Sequence, residues 1–115
     1  MVENRFTQMT ENLNTELAKL HREIPEVMKG FSSLAGAATQ PGVLDKKTKE
    51  LIAIALGIAN HCHGCIGFHA KALIKLGTTR EEFLETLSMA IYMGGGPSLM
   101  YAAEALEAFE EFSQA

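Results

Sequence analysis

Nine consecutive residues, Leu51 to Ala59, are apolar without a break, and they follow a polar turn that ends at Glu50. Nine residues are about half a membrane span, so the run belongs inside a folded domain. Asp45 reads as a helix N-cap, and the spacing predicts a helix from about Lys46 to Asn60. A helix apolar on every side is a central one, with the rest of the chain packed around it. Its first turn carries Lys46, Lys47 and Lys49, three cations that oppose the helix dipole and that nothing nearby in the sequence explains.

The flanking segments repeat with helical periods. Phe6, Met9, Leu13, Leu17 and Leu20 recur in steps of three and four, predicting an amphipathic helix over residues 4–21. His21 near its end is a surface residue favoured by the C-terminal dipole. Pro25 suits the first turn of a second helix reaching about Ala38, with Val27, Met28, Phe31, Leu34 and Ala35 as its buried side. Gln40-Pro41-Gly42 is a turn. Beyond the central helix, a fourth is predicted from about Cys62 to Leu76, ended by Gly77. Thr78 with Glu81 and Thr79 with Glu82 form two overlapping capping boxes. A fifth helix then runs to about Met93 and buries Phe83, Leu84, Leu87, Ala90 and Ile91. Gly94-Gly95-Gly96 breaks it, and Pro97 opens a last helix through Phe112.

No segment alternates as a strand does. The expected class is therefore all-α, a single-domain bundle of about six helices spanning residues 1–115. With 47% hydrophobic and 21% charged residues the chain is an ordinary compact fold. A net charge of −4 argues against nucleic acid as a partner. No apolar stretch is long enough for a membrane span, and none follows Glu3, Asn4 and Arg5 as a secretory signal would require, so a cytoplasmic location is expected. In that compartment a Cys-x-x-Cys pair is reactive or metal-bound rather than a structural staple. The methionines Met89, Met93 and Met100 read as core or subunit-interface filler. The glycine triplet lacks the strand-then-helix context of a phosphate loop.

The chemistry concentrates in Asn60-His61-Cys62-His63-Gly64-Cys65-Ile66-Gly67-Phe68-His69, which holds both cysteines and three of the four histidines. At about 100° per residue, a helix sets Cys62 and Cys65 about 60° apart and His69 about 40° from Cys65. Two thiols and an imidazole on one stripe are what a dithiol redox centre needs, and such chemistry calls for no cofactor. Two other readings compete. Free cysteines often pack as small apolar side chains, but Gly64 and Gly67 leave the second cysteine uncluttered while polar His61 and His63 surround the first. Zinc could take Cys62, Cys65, His69 and either His61 or His63, yet a single helical stripe cannot wrap a tetrahedron. Glu50 lies twelve residues before Cys62, about 18 Å away along an unbroken helix. If the chain reverses near Asn60-His61, Glu50 can face His69 as a carboxylate orients a catalytic imidazole. That reversal also places Cys62 at a helix N-terminus, where the dipole favours the thiolate. Otherwise Glu50 is a solvated first-turn carboxylate.

Lys49-Glu50-Leu51, the apolar run, then Cys62-x-x-Cys65-x-x-x-His69 resembles the alkylhydroperoxidase D-like branch of the carboxymuconolactone decarboxylase family, and the likeness extends from about Gly42 into the last helix. The resemblance implies that Cys62 and Cys65 form the redox pair and that Glu50 and His69 relay a proton from the thiol. It implies a thiol-dependent peroxidase of the peroxiredoxin type, with Cys65 the peroxide-reactive sulfur and Cys62 the resolving one. Its partners would be a peroxide or disulfide substrate and an external dithiol or protein reductant. The assembly implied is a homotrimer or homohexamer. Peroxidases of the family carry a histidine immediately before the second cysteine, whereas this chain has Gly64 there. Decarboxylase members lack the cysteine pair, so that activity is not expected. The alternatives are a dithiol-disulfide reductase or thiol sensor without peroxidase activity, and a non-enzymatic metal-binding protein.

Overall fold

The structure is a computed structural model describing residues 4–114. Six helices follow one another: α1 (Arg5–Glu23), α2 (Pro25–Thr39), α3 (Lys46–Ala59), α4 (His63–Lys75), α5 (Arg80–Gly94) and α6 (Gly96–Ser113). No strand occurs among the described residues, and no helix there is long and apolar enough to cross a membrane. The boundaries fall where local chemistry puts them. Asp45 accepts a hydrogen bond from the Thr48 amide and caps α3. Thr79 and Glu82 form the reciprocal capping box of α5, while Thr78 is buried outside it. The break between α5 and α6 narrows to Gly95, at φ +74°.

The core lies between α3, α4, α5 and α6, closed at one end by Phe6 of α1. Ile54, Ile58, Ile66, Leu73 and Phe83 are fully buried. Alanines at 102, 105 and 108 of α6, with Ala70 of α4, let those backbones approach closely. Phe83 packs on Phe109 with ring centroids 4.4 Å apart.

Three expectations about burial need correction. None of the apolar residues of α2 is buried: Val27, Phe31 and Leu34 are each 65% exposed, because no element of the same chain covers that side. In α3, Glu50, Ile54, Gly57 and Ile58 face the core, but Ile52 and Leu56 point outward, so the helix is central on one side only. In α5, Leu84 is exposed, and so are Met89, Met93 and, in α6, Met100, which excludes them from this chain's core.

Two long-range contacts explain what the sequence left open. Lys49 donates from Nζ to the carbonyls of Ala38 and Gln40 at 2.9 and 2.7 Å, so it caps the C-terminal end of α2, where a cation is favoured. Lys47 pairs with Glu82 at 2.7 Å, and that hydrogen bond holds the Glu82 carboxyl below its ordinary range. Asn4 precedes α1 without a capping side-chain bond. Glu111 of α6 supplies the cap instead. Its carboxylate is buried and accepts from the Phe6 amide at 3.1 Å, the Thr7 amide at 2.6 Å and the Thr7 hydroxyl at 2.7 Å. Glu111→Ala strands two amides, so we expect urea denaturation to show a loss of about 2–4 kcal/mol with an unchanged slope.

Candidate active site

α3 and α4 are joined by three residues, and the turn has an identifiable form. The His61 amide donates to the Ile58 carbonyl at 3.1 Å and the Cys62 amide to the Gly57 carbonyl at 2.9 Å. These are the paired bonds of a Schellman cap. The residue that takes the left-handed conformation there is His61, at φ +57°. Gly77 plays the same part at the far end of α4, at φ +75°. Histidine accepts this region more often than most side chains, but glycine is the usual signal, so no residue type at this turn marks the reversal directly.

Because the chain reverses there, α4 runs antiparallel to α3. A Cβ on Gly57 would lie 2.9 Å from the Cys65 Cβ, so only glycine lets α3 come this close to the second cysteine. About two turns back along α3 and one turn further along α4, Glu50 reaches His69: Oε2 lies 2.6 Å from Nδ1. Glu50 is almost buried, with 11% of its side chain exposed, while His69 keeps 32%. With Nδ1 committed to the carboxylate, Nε2 is the ring nitrogen left to exchange a proton. His69 is four residues after Cys65, one helical turn away on the same face.

Cys62 is not inside α4, as a continuous helical stripe would have it, but is its N-cap, with extended backbone and Sγ accepting from the Cys65 amide at 3.1 Å. The two sulfurs are joined in a disulfide, across a Cα separation of 5.2 Å. Both cysteines are partly accessible. The fold therefore brings together Glu50, Cys62, Cys65 and His69, residues that span twenty positions of the chain. Among the described residues, no three His, Cys, Asp or Glu side chains are grouped so as to hold a metal ion.

The two glycines beside Cys65 have a different use from the open surroundings expected of them. A Cβ on Gly64 would lie 3.0 Å from Leu13 Cδ1, and one on Gly67 2.9 Å from Thr10 Cγ2. They are where α1 crosses α4.

Sequence reasoning missed a second cluster at the Cys62 end. His61 stacks on Tyr101 with centroids 4.6 Å apart and planes 9° from parallel. His63 lies against the same ring at 5.0 Å, and its Nδ1 is 3.0 Å from Glu104 Oε1. Arg5 grips Glu107 through Nε and Nη2 at 3.1 and 3.0 Å and approaches Glu104 at 3.7 Å. Tyr101 and Glu104, three apart in an alanine-rich helix, were the available signal, but their partners lie some forty and one hundred residues away.

The sequence profile of the carboxymuconolactone decarboxylase family matches residues 25–108. A structure of apo-lpg0406, a carboxymuconolactone decarboxylase family protein from Legionella pneumophila, is 68% identical. It superposes with a TM-score of 0.94 over 96% of this chain and 99% of that one. An uncharacterised protein of Cupriavidus necator is 39% identical over 109 residues, covering 89% of this chain and 96% of its own length. The alkyl hydroperoxide reductase AhpD of Mycobacteroides abscessus is 41% identical over 66 residues, 57% of this chain and 37% of that protein.

Proposed function

The chain belongs to the carboxymuconolactone decarboxylase family, in its alkylhydroperoxidase D-like branch, and from that premise we propose that it is a thiol-dependent peroxidase of antioxidant type. The observation that carries the reading is the joined pair Cys62–Cys65 with the Glu50–His69 couple one helical turn from Cys65. In the reduced protein His69 takes the proton of the Cys65 thiol, and Glu50 holds the imidazole in register and stabilises the imidazolium. The Cys65 thiolate attacks one peroxide oxygen and the O–O bond breaks. Cys65 becomes a sulfenic acid, and the alcohol or water leaves with the proton from His69. The Cys62 sulfur then attacks the sulfenic sulfur, the S–O bond breaks, water leaves and the disulfide forms. An external dithiol or protein reductant supplies two electrons and two protons to restore both thiols, leaving as its own disulfide. A reducing compartment such as the cytosol suits this cycle.

Positioned acid–base groups contribute about 10²–10⁴ to such steps. His69→Gln and Glu50→Gln are therefore expected to slow the second-order reaction of the reduced protein with peroxide by about a hundredfold or more. An undiminished rate in both variants overturns the assignment. Rapid exchange with dithiols but no peroxide consumption by the native chain would favour a disulfide reductase or thiol sensor instead.

The outward apolar faces support a homotrimer or homohexamer. Phe31 of α2, Leu56 of α3 and Met93 of α5 stand in solvent, and a groove of about 290 Å³ between α5 and α6 is lined by Leu84, Ile91, Leu99 and Leu106. Light scattering on the purified protein tests it, and a monomer at micromolar concentration counts against the assembly.

A further inference from the structure

Cys62 stands between two histidines that lay their rings on the same tyrosine. His61, just before it, stacks on Tyr101 with centroids 4.6 Å apart and planes 9° from parallel. His63, just after it, lies against that ring at 5.0 Å, tilted by 36°. We propose that Tyr101 is a positioning residue for Cys62. Acting through both neighbours, it keeps the reversal between α3 and α4 closed in the reduced protein, so that the two sulfurs stay within bonding range.

Three observations converge on this. The first is a comparison within the chain, because α3 and α4 end in the same cap. The amides of His61 and Cys62 donate to the carbonyls of Ile58 and Gly57 at 3.1 and 2.9 Å, and those of Gly77 and Thr78 to Ile74 and Leu73 at 3.1 Å each. The left-handed residue after α4 is Gly77, with open space where a side chain would stand. After α3 it is His61. A residue with a Cβ is disfavoured in that region and persists where its surroundings hold it, and for His61 the stack on Tyr101 does so. Second, Tyr101 has a fixed support. Ala102 and Ala105 beside it on α6 are buried, and Tyr101 itself packs on the core. Asn60 and His61 are exposed, so the turn has no core of its own and takes its order from the packed helix. Third, the hydrogen bonds of Cys62 all run to α3 and α4: its amide to Gly57, its carbonyl from the Ile66 amide at 3.0 Å and its sulfur from the Cys65 amide at 3.1 Å. The two rings add a tie from this corner across to α6.

The inference rests on the dithiol reading above and bears on closure of the disulfide. With the bond made, the chain itself holds the two sulfurs together. With it broken, the turn is held by the cap hydrogen bonds and the stack, so loss of the stack is felt by the dithiol more than by the disulfide. The closure constant scales with the fraction of dithiol whose sulfurs are in range. The same fraction governs the step in which the Cys62 sulfur attacks the Cys65 sulfenic sulfur, the S–O bond breaks and water leaves.

The test reads that constant directly. The purified chain is equilibrated at one pH with graded ratios of reduced and oxidised glutathione, quenched with acid and alkylated, and its disulfide fraction is read by mass spectrometry. Each closure passes two electrons and two protons from the thiols to one oxidised glutathione, which leaves as two thiols. An aromatic pair is worth about a factor of two to ten in an equilibrium constant, so Tyr101→Ala is expected to lower the closure constant by about that much. Tyr101→Phe keeps the ring and leaves the constant within about twofold of the parent. His61→Ala shifts it in the same direction as Tyr101→Ala. A role in packing alone would weaken both redox states alike and leave the constant where it was. An unmoved constant in Tyr101→Ala, with parent-like circular dichroism, overturns the proposal. So does a Tyr101→Phe variant that falls as far as Tyr101→Ala. If Tyr101→Ala does not fold, His61→Ala carries the test, and an unmoved constant there overturns the proposal equally. Peroxide enters none of these measurements. Failure of the peroxidase reading would appear as absent peroxide turnover, and failure of this inference as an unmoved closure constant.

Discussion

Serine at Cys65 or at Cys62 is expected to abolish peroxide turnover supported by a dithiol, lowering it by at least about a thousandfold, because residues that act as one unit fail together. The two variants should fail at different stages. Cys62→Ser keeps the sulfur beside the Glu50–His69 couple, so one equivalent of peroxide oxidises Cys65 and the sulfenic acid persists, open to trapping by dimedone. Cys65→Ser keeps only the capping sulfur, which has no carboxylate-held imidazole one turn away, and little sulfenic acid should form. Mass spectrometry after a single peroxide addition distinguishes them. Sulfenic acid accumulating only in Cys65→Ser would reverse the order of the two sulfurs. Full turnover in both single variants would remove the dithiol mechanism altogether.

Gly57→Ala should cost about a hundredfold in kcat/KM for peroxide, although the changed residue touches no reactant. Two effects oppose each other. Alanine inside a helix gains about 0.5–1 kcal/mol over glycine. Overpacking a closed contact costs about 1–3 kcal/mol, and here the new methyl would lie 2.9 Å from the Cys65 Cβ, an atom fixed by its own backbone. The clash wins, and α4 must move off α3. A displacement near 1 Å can cost two orders of magnitude in rate, and a 2.6 Å contact between Glu50 and His69 does not survive one. Gly64→Ala is the control. Its methyl would meet Leu13 Cδ1 at 3.0 Å, the far end of a side chain that can rotate. Activity within about threefold of the parent is expected there, since a rotamer change costs under about 1.5 kcal/mol. Parent-like turnover in Gly57→Ala, or equal damage in both variants, would show that the α3–α4 approach does not set the site.

Much of this molecule was legible before any coordinates. The helix boundaries follow from residues that act within one turn: Asp45 on the Thr48 amide, the box of Thr79 and Glu82, Pro25 and Gly77. The spacing of Cys65 and His69 is likewise local, being one turn of a single helix. The meeting of Glu50 with His69 was conditional on a reversal, and the reversal occurs through a left-handed histidine where pattern reasoning looks for glycine. Choosing between the two capping boxes was also beyond the sequence, since Thr78 and Thr79 carry the same side chain.

Which side of each helix is covered was decided elsewhere. An apolar stripe states that a face is to be buried but not by what, so the stripe of α2 and the outer residues of α3 looked like core and stand in solvent. Glu111 capping α1 across 104 to 105 positions, Lys49 capping α2, and the His63–Glu104–Tyr101 cluster are of the same kind. By itself the sequence determined six helices, their ends and a dithiol with its imidazole, because hydrogen bonds and dihedral preferences act over three or four residues. Tertiary structure alone decided which carboxylate each imidazole found, because that depends on how closely two backbones approach, and between α3 and α4 Gly57 sets that distance through the absence of a side chain.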